Sequence, residues 1–182
     1  YTTNASENTE ATSILGLIKT NWHTLATGLW NTIVLTVVAL IFASLIGIIF
    51  GLMKTSQNNI VQAIAGFYID IIRGVPLIVL TFFIYFGIPQ AFEITMQPFV
   101  AGVITLSLNA SAYIAEIIRG GIQAVDKGQY EACMSLGLPY SKSMRKVILP
   151  QAIRIMVPSF INQFVITLKD TSILSIIGIA EL

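Results

Sequence analysis

From Gly28 to Met53 the chain reads GLWNTIVLTVVALIFASLIGIIFGLM without one charged residue. A helix that crosses a bilayer needs about 20 mainly apolar residues, and in hydrocarbon every backbone polar group must find its partner inside the segment. That run is therefore expected to be a spanning helix. Trp22 and Trp30 stand near its start, where indole rings favour the headgroup layer, and Lys54 closes its other end. The N-terminal side is then expected outside the cell membrane and Lys54 in the cytoplasm. Composition agrees with an integral membrane chain: 55% of residues are hydrophobic, only 10% are charged, and mean hydropathy is +0.80.

Residues 1–21 are rich in Thr, Ser, Asn and Glu and show no charged n-region before a short apolar core. They are expected to be a polar extracellular linker or leader, which leaves 22–182 as one transmembrane domain. The next apolar stretch, Ile60 to Ile88, is interrupted by Arg73, Gly74 and Pro76. Pro76 has no N–H to donate and disfavours a helical Val75, so a short inner-face helix should end near Arg73 and a span should start at Pro76. Backbone freed by such a break survives at membrane depth only against protein or a water-filled cavity, so the break is expected to line the working interior. A third span runs from about Pro98 to Arg119. A fourth apolar stretch, Ile155 to Leu168, is bounded by Pro150 and Pro158, reads as short for a full crossing, and ends in Lys169-Asp170-Thr171-Ser172. The closing SILSIIGIAEL stops before a further span.

Charge is gathered in one place. Arg119, Lys127, Lys142, Arg145, Lys146 and Arg154 all fall in or beside the loop at about 120–150, and cationic loops stay on the inner side of a membrane. The net charge of +1 and the absence of a basic groove speak against nucleic acid. The single cysteine, Cys133, allows neither an internal disulfide nor a thiolate metal cluster, and no His or Cys stands at metal-ligand spacing. Within the loop, Tyr130–Gly137 and Ser141–Val147 read as two short helices hinged at Gly137-Leu138-Pro139.

The segment YEACMSLGLPYSKSMRKVILP, Tyr130 to Pro150, resembles the EAA loop of permease subunits of ATP-binding-cassette importers. The match places Glu131-Ala132-Cys133, Gly137, Val147 and Leu149-Pro150 on that pattern, with Cys133 for the usual second Ala and Val147 for the usual Ile. RGVPLIVLTFF from Arg73, AYIAEIIRGGIQAV from Ala112, VILPQAIR from Val147 and KDTSILSIIG from Lys169 look like the polar amino acid branch of that family, the glutamine, histidine or arginine type. The resemblance implies a MetI-like bundle of about five helices, the last absent from this chain, with two short cytoplasmic coupling helices. It implies import of polar amino acids of the glutamine, glutamate, arginine or histidine class. The implied partners are an ATPase subunit that holds ATP and Mg, a second permease copy or sister permease, and an extracellular or periplasmic binding protein or fused binding domain. The coupling contacts carried over are Glu131, Ala132, Cys133, Gly137, Lys142, Arg145 and Pro150; Lys142, Arg145 and Lys146 face either acidic partner residues or anionic lipid. The chain itself has no GxxxxGK[ST] loop to cradle phosphates.

A charge at the bilayer centre costs roughly 2.5–3.5 kcal/mol on insertion-based scales, so polar groups in apolar spans mark pathways. Asn109, Tyr113 and Glu116 stand four and three residues apart and so share a helical face, extended outward by Thr105. Glu116 is either a substrate contact or a lock with Arg119 or Arg73. Arg73 is either gate and anchor or a carboxylate contact. Lys169 and Asp170, beside the hydroxyls of Thr171 and Ser172, suit the carboxylate and ammonium of a free amino acid, or else brace a helix break as an ion pair. Gly47 and Gly51 form a small-xxx-small pair for close helix packing. His23 reads as a surface group beside Trp22, and Phe82, Phe83, Tyr85 and Phe86 as packing. The rival readings are a passive channel or membrane assembly protein without an ATPase, and an intramembrane hydrolase, for which no acid or nucleophile pair shares a depth.

Overall fold

A computed structural model describes residues 22–178, all of them in helices or short connections. The expected linker at 1–21 lies outside the described residues. The first helix, α1 (Trp22–Lys54), spans 33 residues, about 50 Å at 1.5 Å per residue. It ends in a turn in which Thr55 and Ser56 N–H groups bond the Leu52 and Met53 carbonyls. Helix α2 (Asn59–Gly74) starts on Asn58, whose side chain accepts from the Ile60 N–H at 2.9 Å. It stops where expected: Val75 and Pro76 are extended, and α3 (Leu77–Phe92) leaves at 99° to α2.

Helix α4 (Pro98–Gln123) is the buried centre of the bundle, carrying fourteen buried residues along its 26. Against it α1 lays a stripe of small residues, Ala39, Ala43, Gly47 and Gly51, all buried. Ser107 Oγ donates to the Ala39 carbonyl at 3.2 Å, a Cβ on Gly47 would meet Ile114, and one on Gly51 would meet Ile118. The partners advance together, so α1 and α4 run parallel. After the nine-residue α5 (Lys127–Ser135), α6 (Tyr140–Ile177) runs back antiparallel to α4. Met156 and Ala152 meet Gly121 near the start of its climb, and Leu174 and Ile177 reach Ala101 and Leu106 near its end.

Two short π turns explain how prolines enter these helices. Phe83–Gly87 precedes Pro89, and Met144–Ile148 precedes Pro150. In each, the residue just before the proline bonds five back, Ile88 N–H to the Phe83 carbonyl and Leu149 N–H to the Met144 carbonyl. The wider register lets the following proline sit without the bond it cannot donate. Two expectations are corrected. The stretch Ile155–Leu168 is not short for a crossing, because the helix runs through Pro158 and extends on both sides, Leu149–Asp170 being continuous. The second coupling helix, read as Ser141–Val147, is no separate element but the opening of α6, joined to it by the π turn.

By length and composition α1, α4 and α6 are each able to cross a membrane, and the bent α2–α3 pair makes a fourth crossing if it counts as one span.

Candidate functional site: a polar cavity and a capped surface helix

Three helices bring polar groups to one cavity of about 350 Å³. From α4 come Tyr113 and Glu116; from the last turn of α2 comes Arg73; from α6 come Ser159, Asn162 and Gln163. The size lies at the small end of ligand sites, which run from roughly 300 to 1,000 Å³.

Glu116 is the electrostatic hub. Arg119 grips it with two donors, Nε at 3.1 Å and NH2 at 2.7 Å, and spends NH1 on Gln123 Oε1 at 2.6 Å. Arg73 reaches the same carboxylate from another helix at 3.7 Å and lies over the Tyr113 ring, 5.2 Å from its centroid. One carboxylate therefore faces two guanidiniums, and the cluster carries a net positive charge. Of the two arginines, Arg73 is the looser and more exposed, which leaves it donors for an incoming anionic group.

The other expected pathway residues fall elsewhere. Asn109, one turn along α4 from Tyr113, is 7% exposed and makes no hydrogen bond among the described residues. Lys169 and Asp170 do not line this cavity, and neither forms an ion pair among the described residues. Lys169 is exposed and Asp170 half-buried, at the point where α6 tightens into the 3₁₀ turns Thr171–Ile177. The hydroxyls of Thr171 and Ser172 donate back to the Leu168 and Lys169 carbonyls at 2.8 and 2.7 Å. From the cavity towards this point α6 buries Gln163, itself part of the cavity wall, and Thr167, and their side chains bond each other at 3.3 Å. Ser159, Asn162 and Gln163 were absent from the sequence-based set. They repeat at three- and four-residue spacing within an apolar stretch, the pattern that singled out α4.

The second feature is α5. Asp126 caps it, its carboxylate accepting from Gly128 N–H at 2.7 Å. At the other end Leu138 N–H bonds the Cys133 carbonyl and Gly137 N–H the Met134 carbonyl, with Gly137 left-handed at φ 72. This is the Schellman closure. Glu131 and Ala132 face outward, whereas Cys133 is buried. Tyr130 stacks edge-on against Tyr140 at 5.9 Å, and Gln129 bonds Gln151 at 3.1 Å, so α5 is held to the start of α6. A Cβ on Gly137 would meet nothing within 4 Å, so the cost of Gly137→Ala is conformational alone, about 1 kcal/mol. Gly137→Asn, a residue that tolerates the left-handed region, should lose distinctly less in thermal unfolding; equal losses would place the cost elsewhere.

The chain is similar to known proteins over most of its length. A family model described as "Binding-protein-dependent transport system inner membrane component" matches residues 43–182. The arginine transport system permease protein ArtQ of Bacillus subtilis is 40% identical over 85% of this chain and 70% of its own length. The L-cystine transport system permease protein TcyB of the same organism is 41% identical over 88% of this chain and 68% of its own. Among solved structures, an amino acid ABC transporter with histidines superposes with a TM-score of 0.88 at 43% identity, covering 93% of this chain and 78% of that one. Inward-facing MetNI, a methionine ABC transporter, superposes at 0.71 with 21% identity over 86% and 76%, a likeness of fold.

Proposed function

This chain belongs to the binding-protein-dependent transport system inner membrane components, and we propose that it is the permease subunit of an ATP-binding-cassette importer for polar amino acids. The observation that carries the reading is about 40% identity with arginine and cystine permeases over 85% and 88% of the chain. The class would be glutamine, glutamate, arginine or histidine. In this reading the N-terminal side lies outside and α5 in the cytoplasm, where a separate ATPase holding ATP and Mg seats on the outward face of Glu131 and Ala132. Pro150 and the π turn before it, within the first turns of α6, carry that seat's movement into the spanning part of the helix. A second permease copy or sister subunit completes the pore, and a binding protein, separate or fused, delivers substrate.

The order of polar groups along the antiparallel α4 and α6 suggests a route. Asn109 on one wall and Lys169, Asp170, Thr171 and Ser172 on the other form the outer station. There the ammonium of a free amino acid would meet Asp170, and its carboxylate Lys169 and a hydroxyl whose lone pairs remain open. The zwitterion so held brings no net charge into the bilayer. Further in, the Arg73–Glu116–Arg119 cluster closes the route. Arg73 is held to Glu116 across two helices, beside the Val75-Pro76 break at which α2 and α3 can change angle.

The test is uptake of radiolabelled amino acids into proteoliposomes holding this permease, its ATPase and its binding protein. ATP-dependent accumulation of a polar amino acid is expected. A complex that hydrolyses ATP in response to binding protein yet accumulates none would end the importer reading. Asp170→Asn should raise the KM for uptake at least about tenfold, the loss of one charge-assisted bond. Unaltered uptake in that variant would remove Asp170 from the substrate station.

A further inference from the structure

We infer that the first turns of α6 form a binding face for anionic phospholipid headgroups, built from Lys142, Lys146 and Arg154 with Arg145 at its edge. All four are exposed, and none makes an ion pair or side-chain hydrogen bond among the described residues. In an uninterrupted α-helix Arg154 would stand about 120° around the axis from Lys142. The π turn Met144–Ile148 lies between them. It inserts an extra residue into the winding and sets everything beyond it back by roughly 70–100°, which brings Arg154 to within about 50° of Lys142. The turn that admits Pro150 thus gathers the cations on one side.

What lies on that same side identifies the occupant. Continuing along α6, Ile153, Val157, Ile161 and Phe164 repeat at four, four and three residues and are all exposed. An apolar stripe of this kind belongs against hydrocarbon. Arg154, at its end, then sits at headgroup level, while Lys146 and Lys142, up to about 12 and 18 Å further along the axis, lie on the same side and add to the field that draws anionic headgroups there. An acidic protein surface would meet the cations but would not continue into the stripe. The inference rests on the placement of α6 across the bilayer and is independent of ATPase docking at α5.

The test uses the intact transporter, purified and reconstituted in nanodiscs of phosphatidylcholine mixed with phosphatidylglycerol. Native mass spectrometry then reads which lipids stay bound. The wild type should retain phosphatidylglycerol preferentially, less so as salt rises. Joint Lys142→Gln, Lys146→Gln and Arg154→Gln substitution should lower that preference by roughly a hundredfold, about fivefold for each cation removed. The charge-keeping set Lys142→Arg, Lys146→Arg and Arg154→Lys should restore it and guards against a folding defect. Wild-type lipid preference in the glutamine variant overturns the assignment. So does a variant that keeps its lipid but no longer co-purifies with the ATPase, because the face then belongs to the protein partner.

Discussion

Leucine at Gly47 or Gly51 is expected to abolish the folded permease. A Cβ on Gly47 would lie 2.6 Å from Ile114 Cγ2 and 2.9 Å from the Ser111 carbonyl oxygen; one on Gly51 would lie 2.8 Å from Ile118 Cβ. These neighbours are a branched side chain and a backbone on the buried central helix, and neither yields without moving α4. A single added methyl should cost about 1–3 kcal/mol by overpacking. Leucine adds three more carbons in the same space and drives the helices apart. That gap breaks the Ser107 bond to Ala39 and the dispersion contacts that hold spans together where lipid is as apolar as leucine. Gly120→Ala is the control on the same central helix, since its Cβ would meet nothing within 4 Å. It should gain up to about 1 kcal/mol of helix propensity. Size-exclusion chromatography and thermal unfolding in detergent read the difference. A Gly47→Leu variant that elutes and melts like wild type would refute the close α1–α4 crossing.

How far the fold was legible in the sequence depends on which physics decided each element. The span Gly28–Met53 and the break at Pro76 were legible because each follows from one strong local rule, uninterrupted apolarity in the first and a missing N–H in the second. Gly137 as the turn after α5 was legible for the same reason, its positive φ being one that few other residues adopt. Pro158 shows where the same kind of reading fails. A proline marks a helix end in water, where freed carbonyls are hydrated. Within hydrocarbon the alternative to a helix is several unsatisfied backbone groups, so α6 continues past Pro158 at a cost of about 3 kcal/mol. The π turns were illegible for a related reason. They are responses to Pro89 and Pro150 inside helices that packing forces to continue. For the cavity, the α4 face was visible from spacing, whereas Ser159, Asn162 and Gln163 lie in a stretch that reads, from its apolar run alone, as too short for a crossing. Which of two arginines would hold Glu116, and from which helix, needed the crossing of α2 over α4.

That distinction between the arginines yields a sharp functional expectation: Arg73→Ala should raise ATP hydrolysis in the absence of substrate, and Arg119→Ala should not. Arg119 and Glu116 are three residues apart on one helix, so their bond survives any rigid-body movement of α4 and cannot distinguish a closed from an open state. The Arg73 contact joins α2 to α4. If the two helices separate as the pathway opens, that contact is present in one state and lost in the other, which is what a gate requires. Its length of 3.7 Å and the exposure of the Arg73 side chain keep it weak, about 0.2–1 kcal/mol. Removing it should therefore shift the closed–open balance by at most about fivefold. The expected result is a rise in basal hydrolysis of up to that size with uptake per ATP reduced. Arg119→Ala strips the shorter bonds from a partly exposed carboxylate and should instead lower the melting temperature, with coupling kept. Both are read in proteoliposomes, with and without binding protein. Equal basal rates in the two variants would mean that Arg73 only anchors the end of α2, and that the gate lies elsewhere on the route.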